Sequence, residues 1–128
     1  KHLVINYIGP DKQMVKFDRV RISQVITNLL SNSIKYTDSG QIDLSVALEE
    51  KDKRVVVSIK DSGIGVSRED LSVLFSKFKQ LKTFDSSRKG TGLGLVVSKG
   101  IVEAHGGQIW AESAGENLGS TFYFSLPL

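Results

Sequence analysis

Cysteine is absent from this chain of 128 residues. Disulfides, thiolate nucleophiles and zinc–thiolate centres are thereby excluded, and a cytoplasmic setting is the natural expectation. Proline is scarce as well. There are two, one near each end, so no linker composition interrupts the middle and residues 1–128 read as one domain. No apolar run exceeds about five residues, which leaves nothing long enough to cross a bilayer as a helix. No run of five basic residues occurs and no aromatics interleave with a basic stripe, so neither nucleic acid nor membrane is expected as a partner. A signal peptide and internal repeats are lacking too. The chain starts at Lys1 rather than at a methionine and passes directly into Leu3-Val4-Ile5. It reads as a fragment of a longer protein.

What is present is an ordinary globular composition, with 40% hydrophobic and 24% charged residues, enough for one core. The net charge of +3 suits an anionic ligand. Residues 2–8 read as a strand. A long helix is expected over 18–37, with Asp18 as its cap and Ile22, Val25, Ile26 and Leu29 as its apolar stripe. Ile42, Leu44, Val46 and Leu48 alternate with polar or small residues, as in a half-buried strand, and Val55, Val57 and Ile59 share one face of the next. Ser67 and Asp70 resemble a capping box, which predicts a short helix over about 68–76. Residues 79–91 read as a polar loop. A further helix follows, with Val97, Ile101 and Ala104 as its apolar positions and Gly106-Gly107 as its stop. Residues 108–113 and 120–126 form an expected hairpin in which Phe122, Phe124 and Leu126 alternate. This order predicts a two-layer α/β sandwich with a mixed, mostly antiparallel sheet of about five strands on three helices.

Three features carry chemistry. The first is "RKGTGLGLVV" (88–97). A P-loop needs Lys and Ser or Thr after its last glycine, but Leu95 and Val96 follow Gly94. A dinucleotide fingerprint fails too, because Leu95 or Val97 stands where the third glycine belongs. Glycines that admit close approach, before a helix N-terminus and after Arg88 and Lys89, still suit phosphate. By itself the segment is equally a flexible turn. The second is "DSGIG" (61–65), at the end of the most apolar strand. A partly desolvated carboxylate there needs a donor, and an exocyclic amine would serve. An Asx-turn is the plain alternative. The third lies on the long helix, where Asn28, Asn32 and Lys35 fall at i, i+4 and i+7 on one face, with Gln24 one turn earlier. An amide oxygen is a neutral, hard ligand suited to magnesium that already carries phosphate oxygens. Lys35 supplies a point charge and Tyr36 a ring for stacking. A solvated polar face is the alternative.

In order and spacing, "NLLSNSIKYT" (28–37), "DSGIG" (61–65), "LFSKF" (74–78) and "GTGLGL" (90–95) resemble the N box, first glycine box, F box and second glycine box of the sensor histidine kinase catalytic domain. The resemblance runs on through "VEAHGGQIWAES" to "GSTFYFSLP". It implies the Bergerat fold of the gyrase, chaperone, histidine kinase and mismatch-repair superfamily, with ATP or ADP and Mg2+ between the helical layer and a lid.

Carried over residue by residue, the resemblance makes Asn32 the metal ligand with Asn28 in support. Lys35 contacts phosphate and Tyr36 the adenine. Asp61 accepts from the adenine amine, with Gly63, Ile64 and Gly65 shaping the pocket. Arg88 is the first candidate for the lid cation, with Lys89 and Lys82 as rivals. Gly90, Thr91, Gly92, Leu93 and Gly94 form the phosphate cradle, and Thr121 reaches the pocket through water. Asn28, Lys35 and Arg88 are the residues assigned to catalysis, and Phe75 and Phe78 to packing under the lid. Leu81 and Phe84 are lid residues expected against a histidine domain. The implied activity is transfer of the γ-phosphate of ATP to a histidine on a separate dimerisation domain, with a response regulator downstream.

Two departures accompany the resemblance. The lid is short, and the phosphoacceptor domain is absent. His2 lies in a strand, and His105 reads as a helix C-terminal residue placed by the dipole. The fragment is thus expected to be monomeric and inactive alone, within a homodimeric parent that has room for a membrane anchor elsewhere. ATPases of the superfamily place a Glu where Asn28 stands, and an amide cannot take a proton from water. A nucleotide-sensing or ATPase module, and a serine kinase of the anti-sigma-factor type, are the alternatives.

Overall fold

The computed structural model describes residues 2–9, 17–71, 74–75, 94–115 and 117–128. The expected lid loop, with Lys82, Leu81, Phe84, Arg88, Lys89, Gly90, Thr91, Gly92 and Leu93, and Phe78 before it, lies outside these residues.

Five strands form one sheet: β1 (His2–Ile8), β2 (Ser39–Glu49), β3 (Arg54–Asp61), β4 (Ile109–Glu112) and β5 (Ser120–Pro127), in the order β1-β2-β3-β5-β4. β1 runs parallel to β2, and every other pairing is antiparallel. A parallel pair needs a crossover, and α1 (Arg19–Lys35) supplies it. The sheet is therefore mixed and mostly antiparallel, as the order of elements predicted. Asn6 Nδ2 donates to Asp43 Oδ1 at 3.0 Å, fastening edge strand β1 to its neighbour. This contact, then those of Gln41, hold the Asp43 carboxyl below its ordinary value. The folded-state value is depressed, so the fastening is present at neutral pH and is lost as pH falls through it.

α1 begins where Asp18 caps it: the carboxylate accepts from Arg21 N, and the Asp18 backbone is extended. Its buried side carries Ile22, Val25 and Leu29, with Ile26 half-buried beside them, and rests on β3. β3 and β5 answer with Val55, Val57, Ile59, Phe122, Phe124 and Leu126, all buried and in register.

α2 (Arg68–Leu71) is shorter than the pattern predicts. Ser67 Oγ accepts from Asp70 N, as a capping residue should, but residues 74–75 form a turn. Leu74 is buried and Phe75 packs against the core.

α3 (Gly94–Ala104) departs from its expected face. Val97 and Ala104 are exposed, whereas Ser98 and Val102 are buried and Leu95 and Ile101 pack on the core. The sequence stripe was misphased because the buried face includes a serine, which no apolar pattern marks. The helix stop is as expected. Gly107 N donates to Val102 O and Gly106 N to Glu103 O, with Gly106 at φ +80, a Schellman motif. His105 does more than sit at the helix end. One ring nitrogen contacts Ile101 O at 2.8 Å, and Nε2 accepts from Asp18 N at 3.0 Å. Together these two contacts make the ring a strap between α3 and the start of α1.

The glycines of this region separate by environment. A Cβ on Gly107 would collide with the Ser125 carbonyl, whereas one on Gly100 meets nothing within 4 Å. Gly100→Ala should raise stability by about 0.5–1 kcal/mol through helix propensity alone. Gly107→Ala should lower it by at least ~2 kcal/mol through displacement of β5 from the helix end. Denaturant unfolding of the two variants checks both signs.

Candidate functional site

The C-terminal end of β3, the last turn of α1 and the β4–β5 loop converge. Asp61 closes β3 and is buried, 6% exposed. Its Oδ1 accepts from Gly63 N at 2.9 Å and from Ser120 N at 3.2 Å, and its Oδ2 accepts from Ser120 Oγ at 2.9 Å. The first contact is the Asx-turn that the sequence allowed as an alternative. Three donors leave capacity on a carboxylate that offers about four lone-pair sites, so the turn leaves room for one further donor. A buried carboxyl is tolerated here because it is hydrogen-bonded.

Ser120 is the residue that sequence reasoning missed. Thr121 had been assigned to the pocket, but it pairs with Lys60 and Glu112 and shares their face of the sheet. Ser120 pairs with Asp61 on the other face, in phase with Phe122, Phe124 and Leu126. The period-2 alternation from those three residues was the available signal.

Gly63 and Gly65 are required by their neighbours. A Cβ on Gly63 would strike the Tyr36 carbonyl and Thr37 Oγ1, and one on Gly65, at φ +71, would strike the Gly115 carbonyl. Ile64 N donates to Tyr36 O, and Gly119 N donates to Gly63 O. Ser113 Oγ joins the two loops: it accepts from Val66 N and donates to Gly119 O at 2.7 Å. The close approach that these glycines permit is thus backbone on backbone, which sets the loop's shape.

Along α1, Asn28, Asn32 and Lys35 are half-buried and lie off the apolar stripe, on the shared face that their spacing predicted. Tyr36 caps the helix C-terminus, and the Lys35 ammonium lies 6.0 Å from its ring centroid. Asn28 is turned toward α3: its Nδ2 donates to Ser98 Oγ at 3.2 Å and approaches Gly94 O at 3.4 Å. Of the predicted residues, Asn28 and Gly94 are therefore in contact, as are Tyr36 with Gly63 and Ile64, and Asp61 with Gly63. Thr121 is carried away from this set by the strand register.

The stripe of α1 ends in polar residues. Ser33 and Thr37 follow Leu29 at successive intervals of four, 1% and 0% exposed, and neither hydroxyl has a hydrogen-bond partner among the described residues. An unsatisfied buried hydroxyl costs about 1–3 kcal/mol, so this pair marks a polar wall beside Gly63. Among the described residues no group of three or more His, Cys, Asp or Glu side chains is placed to hold a metal. A metal at this site would have to bring most of its oxygen ligands with it.

Comparison with known proteins places this arrangement. The family model for histidine kinase-, DNA gyrase B- and HSP90-like ATPases matches residues 17–128. The chain is 39% identical over 121 residues to the sensor histidine kinase WalK of Bacillus subtilis (strain 168), covering 92% of this chain and 20% of WalK. It is 45% identical over 126 residues to the adaptive-response sensory kinase SasA of Synechococcus elongatus, covering 98% of this chain and 32% of that protein. It thus spans a third or less of these relatives' lengths. Among solved structures, the catalytic domain of histidine kinase ThkA superposes with a TM-score of 0.80 at 33% identity, covering 98% of this chain and 80% of that one. Full-length ShkA in complex with AMPPNP superposes with a TM-score of 0.83 at 25% identity, covering 98% of this chain and 25% of that one. The chain therefore belongs to the histidine kinase-, DNA gyrase B- and HSP90-like ATPase family, on its histidine kinase branch.

Proposed function

We propose that this domain binds ATP with Mg2+ between α1 and the Asp61 loop and presents the γ-phosphate to a histidine on a separate domain of a longer, homodimeric parent. The observation that carries the reading is Asp61. Its carboxylate is held at the end of β3 by Ser120 and Gly63, beside two buried hydroxyls that lack partners. A purine edge carries an amine for the carboxylate, and its ring nitrogens, directly or through water, complement Ser33 and Thr37.

The chain's own residues divide the work. Asp61 orients the base, and Tyr36 offers a ring at the helix end. Lys35 places a positive charge one turn beyond Asn32, where phosphates lie if the base sits at Asp61. Asn32 offers an amide oxygen to a metal whose remaining ligands are phosphate oxygens and water. Magnesium, when bound, neutralises charge on the phosphate oxygens. Arg88, Lys89 and the 90–94 cradle complete the reading from sequence. Asn28 supports positioning and not hydrolysis: its amide cannot take a proton, and its Nδ2 is engaged with α3. Phosphoryl transfer is then chiefly positioning and electrostatics, with the nucleophile supplied by the histidine of the partner domain. A response regulator is the downstream acceptor. The domain has a cytoplasmic placement and is monomeric when isolated.

Calorimetric titration with ADP or ATP in Mg2+ should give saturable binding, and its absence at millimolar nucleotide would sink the reading. Asp61→Asn can keep Oδ1 as the acceptor for Gly63 N and Ser120 N but puts an NH2 in place of Oδ2, the oxygen left to take the adenine amine, and affinity should fall by more than about tenfold. Thr37→Val removes an unsatisfied hydroxyl. It should leave the ligand-free Tm unchanged or raise it by a few degrees, while shrinking the Tm increase that nucleotide produces. A lowered ligand-free Tm, with the nucleotide-induced increase intact, would show that Thr37 is only a structural residue.

A further inference from the structure

Ser62 is the one residue of "DSGIG" to which the resemblance assigns nothing, and it is exposed. The β2–β3 ladder runs as far as Ile42 opposite Asp61. One residue further, β3 has ended and Gly63 N has turned back to Asp61 Oδ1. The Ser62 hydroxyl takes the place of the departing backbone. Its Oγ accepts from Gln41 N at 3.1 Å and, as donor, lies 3.4 Å from Gln41 O. β2 leaves room for it: Gly40 has φ +122, and a Cβ there would collide with Ser62 Oγ. A side chain thus extends the ladder by one rung past the residue that carries the candidate base-recognising carboxyl.

The same stretch of β2 carries the edge strand. Leu3 pairs with Gly40 and Val4 with Gln41. Gln41 Nε2 donates to both carboxyl oxygens of Asp43, at 3.1 and 3.0 Å, and Asp43 Oδ1 accepts from Asn6 Nδ2 of β1 at 3.0 Å. A line of hydrogen bonds therefore runs from Asn6 through Asp43 and Gln41 to Ser62, whose neighbour in the chain is Asp61. We propose that Ser62 is a positioning residue, acting through Asp61, which makes the pose of that carboxyl depend on the pairing of β1 with β2. An edge strand is the part of a sheet most open to peeling or to pairing with another chain. Val4, Ile5, Tyr7 and Ile8 of β1 are each more than half exposed, so packing adds little to the ladder and the side-chain contacts count. This assignment rests on the nucleotide reading above and concerns how that site is regulated.

Coupling of this kind is reciprocal. If the pairing of β1 raises nucleotide affinity by some factor, bound nucleotide favours the pairing by the same factor. β2 stands between β1 and Asp61 in the sheet, so an effect of nucleotide on the β1 amides reports the coupling and not direct contact. A residue that only capped the loop at 62 would give no such effect.

The test measures ADP affinity of the full 128-residue chain in Mg2+, by calorimetry, for wild type, Ser62→Ala, Ser62→Thr, Asn6→Ala and the Asn6→Ala/Ser62→Ala double variant. Ser62→Ala should weaken binding by about three- to fivefold, and Ser62→Thr, which keeps the hydroxyl, should stay within about 1.5-fold of wild type. Asn6→Ala should weaken binding by about twofold in the wild-type background and add nothing to Ser62→Ala, since the line is already cut. Amide hydrogen exchange gives the reciprocal measurement. β1 amides that exchange by local fraying should be slowed by ADP in the wild type and not in Ser62→Ala. A lowered Tm in Ser62→Ala with wild-type ADP affinity would make Ser62 a structural residue only and overturn the assignment. Losses at Asn6 and Ser62 that simply add, or β1 exchange that ADP slows in both proteins or in neither, would overturn it too, while leaving nucleotide binding standing. No saturable ADP binding by the wild type would overturn both.

Discussion

The contact on which the rest of the site depends is the one between the end of α1 and the loop after β3. Ile64 N donates to the Tyr36 carbonyl, and Gly63 sits so close to Tyr36 and Thr37 that no side chain fits between them. A helix C-terminus has carbonyls to satisfy, and a strand that ends in a turn has amides to satisfy. Each here answers part of the other's need. The seam fixes the direction in which Asp61 leaves the sheet relative to the face of α1 that carries Asn28, Asn32 and Lys35. The β4–β5 loop then locks it from the far side through Ser113, Gly115 and Gly119. Substituting a larger residue at 63 would thus act on all of these residues at once.

The legible part of the sequence was whatever has a period or a stop. The stripe of Ile22, Val25 and Leu29, the alternation of Phe122, Phe124 and Leu126, the Asp18 cap and the Gly106-Gly107 stop each appear in place. The misread part was whatever needs a partner from another element. Ser98 broke the apolar pattern of α3 because its burial is licensed by Asn28, 70 residues away in the chain. His105 reads as a helix C-terminal residue and no more, since nothing local reveals that Nε2 accepts from Asp18 N. Thr121 was preferred to Ser120 through the family pattern, although the strand alternation already placed Ser120 on the inner face. The resemblance gives the glycines of "DSGIG" a pocket-shaping role, but only the fold reveals that carbonyls at Tyr36 and Gly115 already require them.

Polar groups inside an apolar layer usually reveal their purpose by their partners. Asp61 has three donors, Asn28 has Ser98 and Gly94, and Ser113 ties two loops. These groups stabilise the fold whether or not a ligand is bound, so their presence alone does not identify a binding site. Ser33 and Thr37 differ in kind. They occupy the two positions that continue the α1 stripe, where Leu or Val would stabilise the ligand-free domain more. A hydroxyl kept at such a place lowers the stability of the free state and is compensated only when a polar group arrives. That asymmetry supports the proposed nucleobase end of the site by a route independent of Asp61.

The opposite end of the site follows a different logic. Asn28, Asn32 and Lys35 lie off the apolar stripe, so the fold does not demand their identity through burial. Asn28 is the exception, because its NH2 is drawn into the seam between α1 and α3. One end of its amide is therefore set by the fold, while the half-buried Lys35 lies beside Tyr36. Under the proposed reading, a domain built this way ties its groups for base and metal to the fold and leaves charge neutralisation to longer side chains. Such a division would suit the proposed phosphoryl transfer to another domain, in which the nucleotide must be held in one pose and the γ-phosphate must remain accessible.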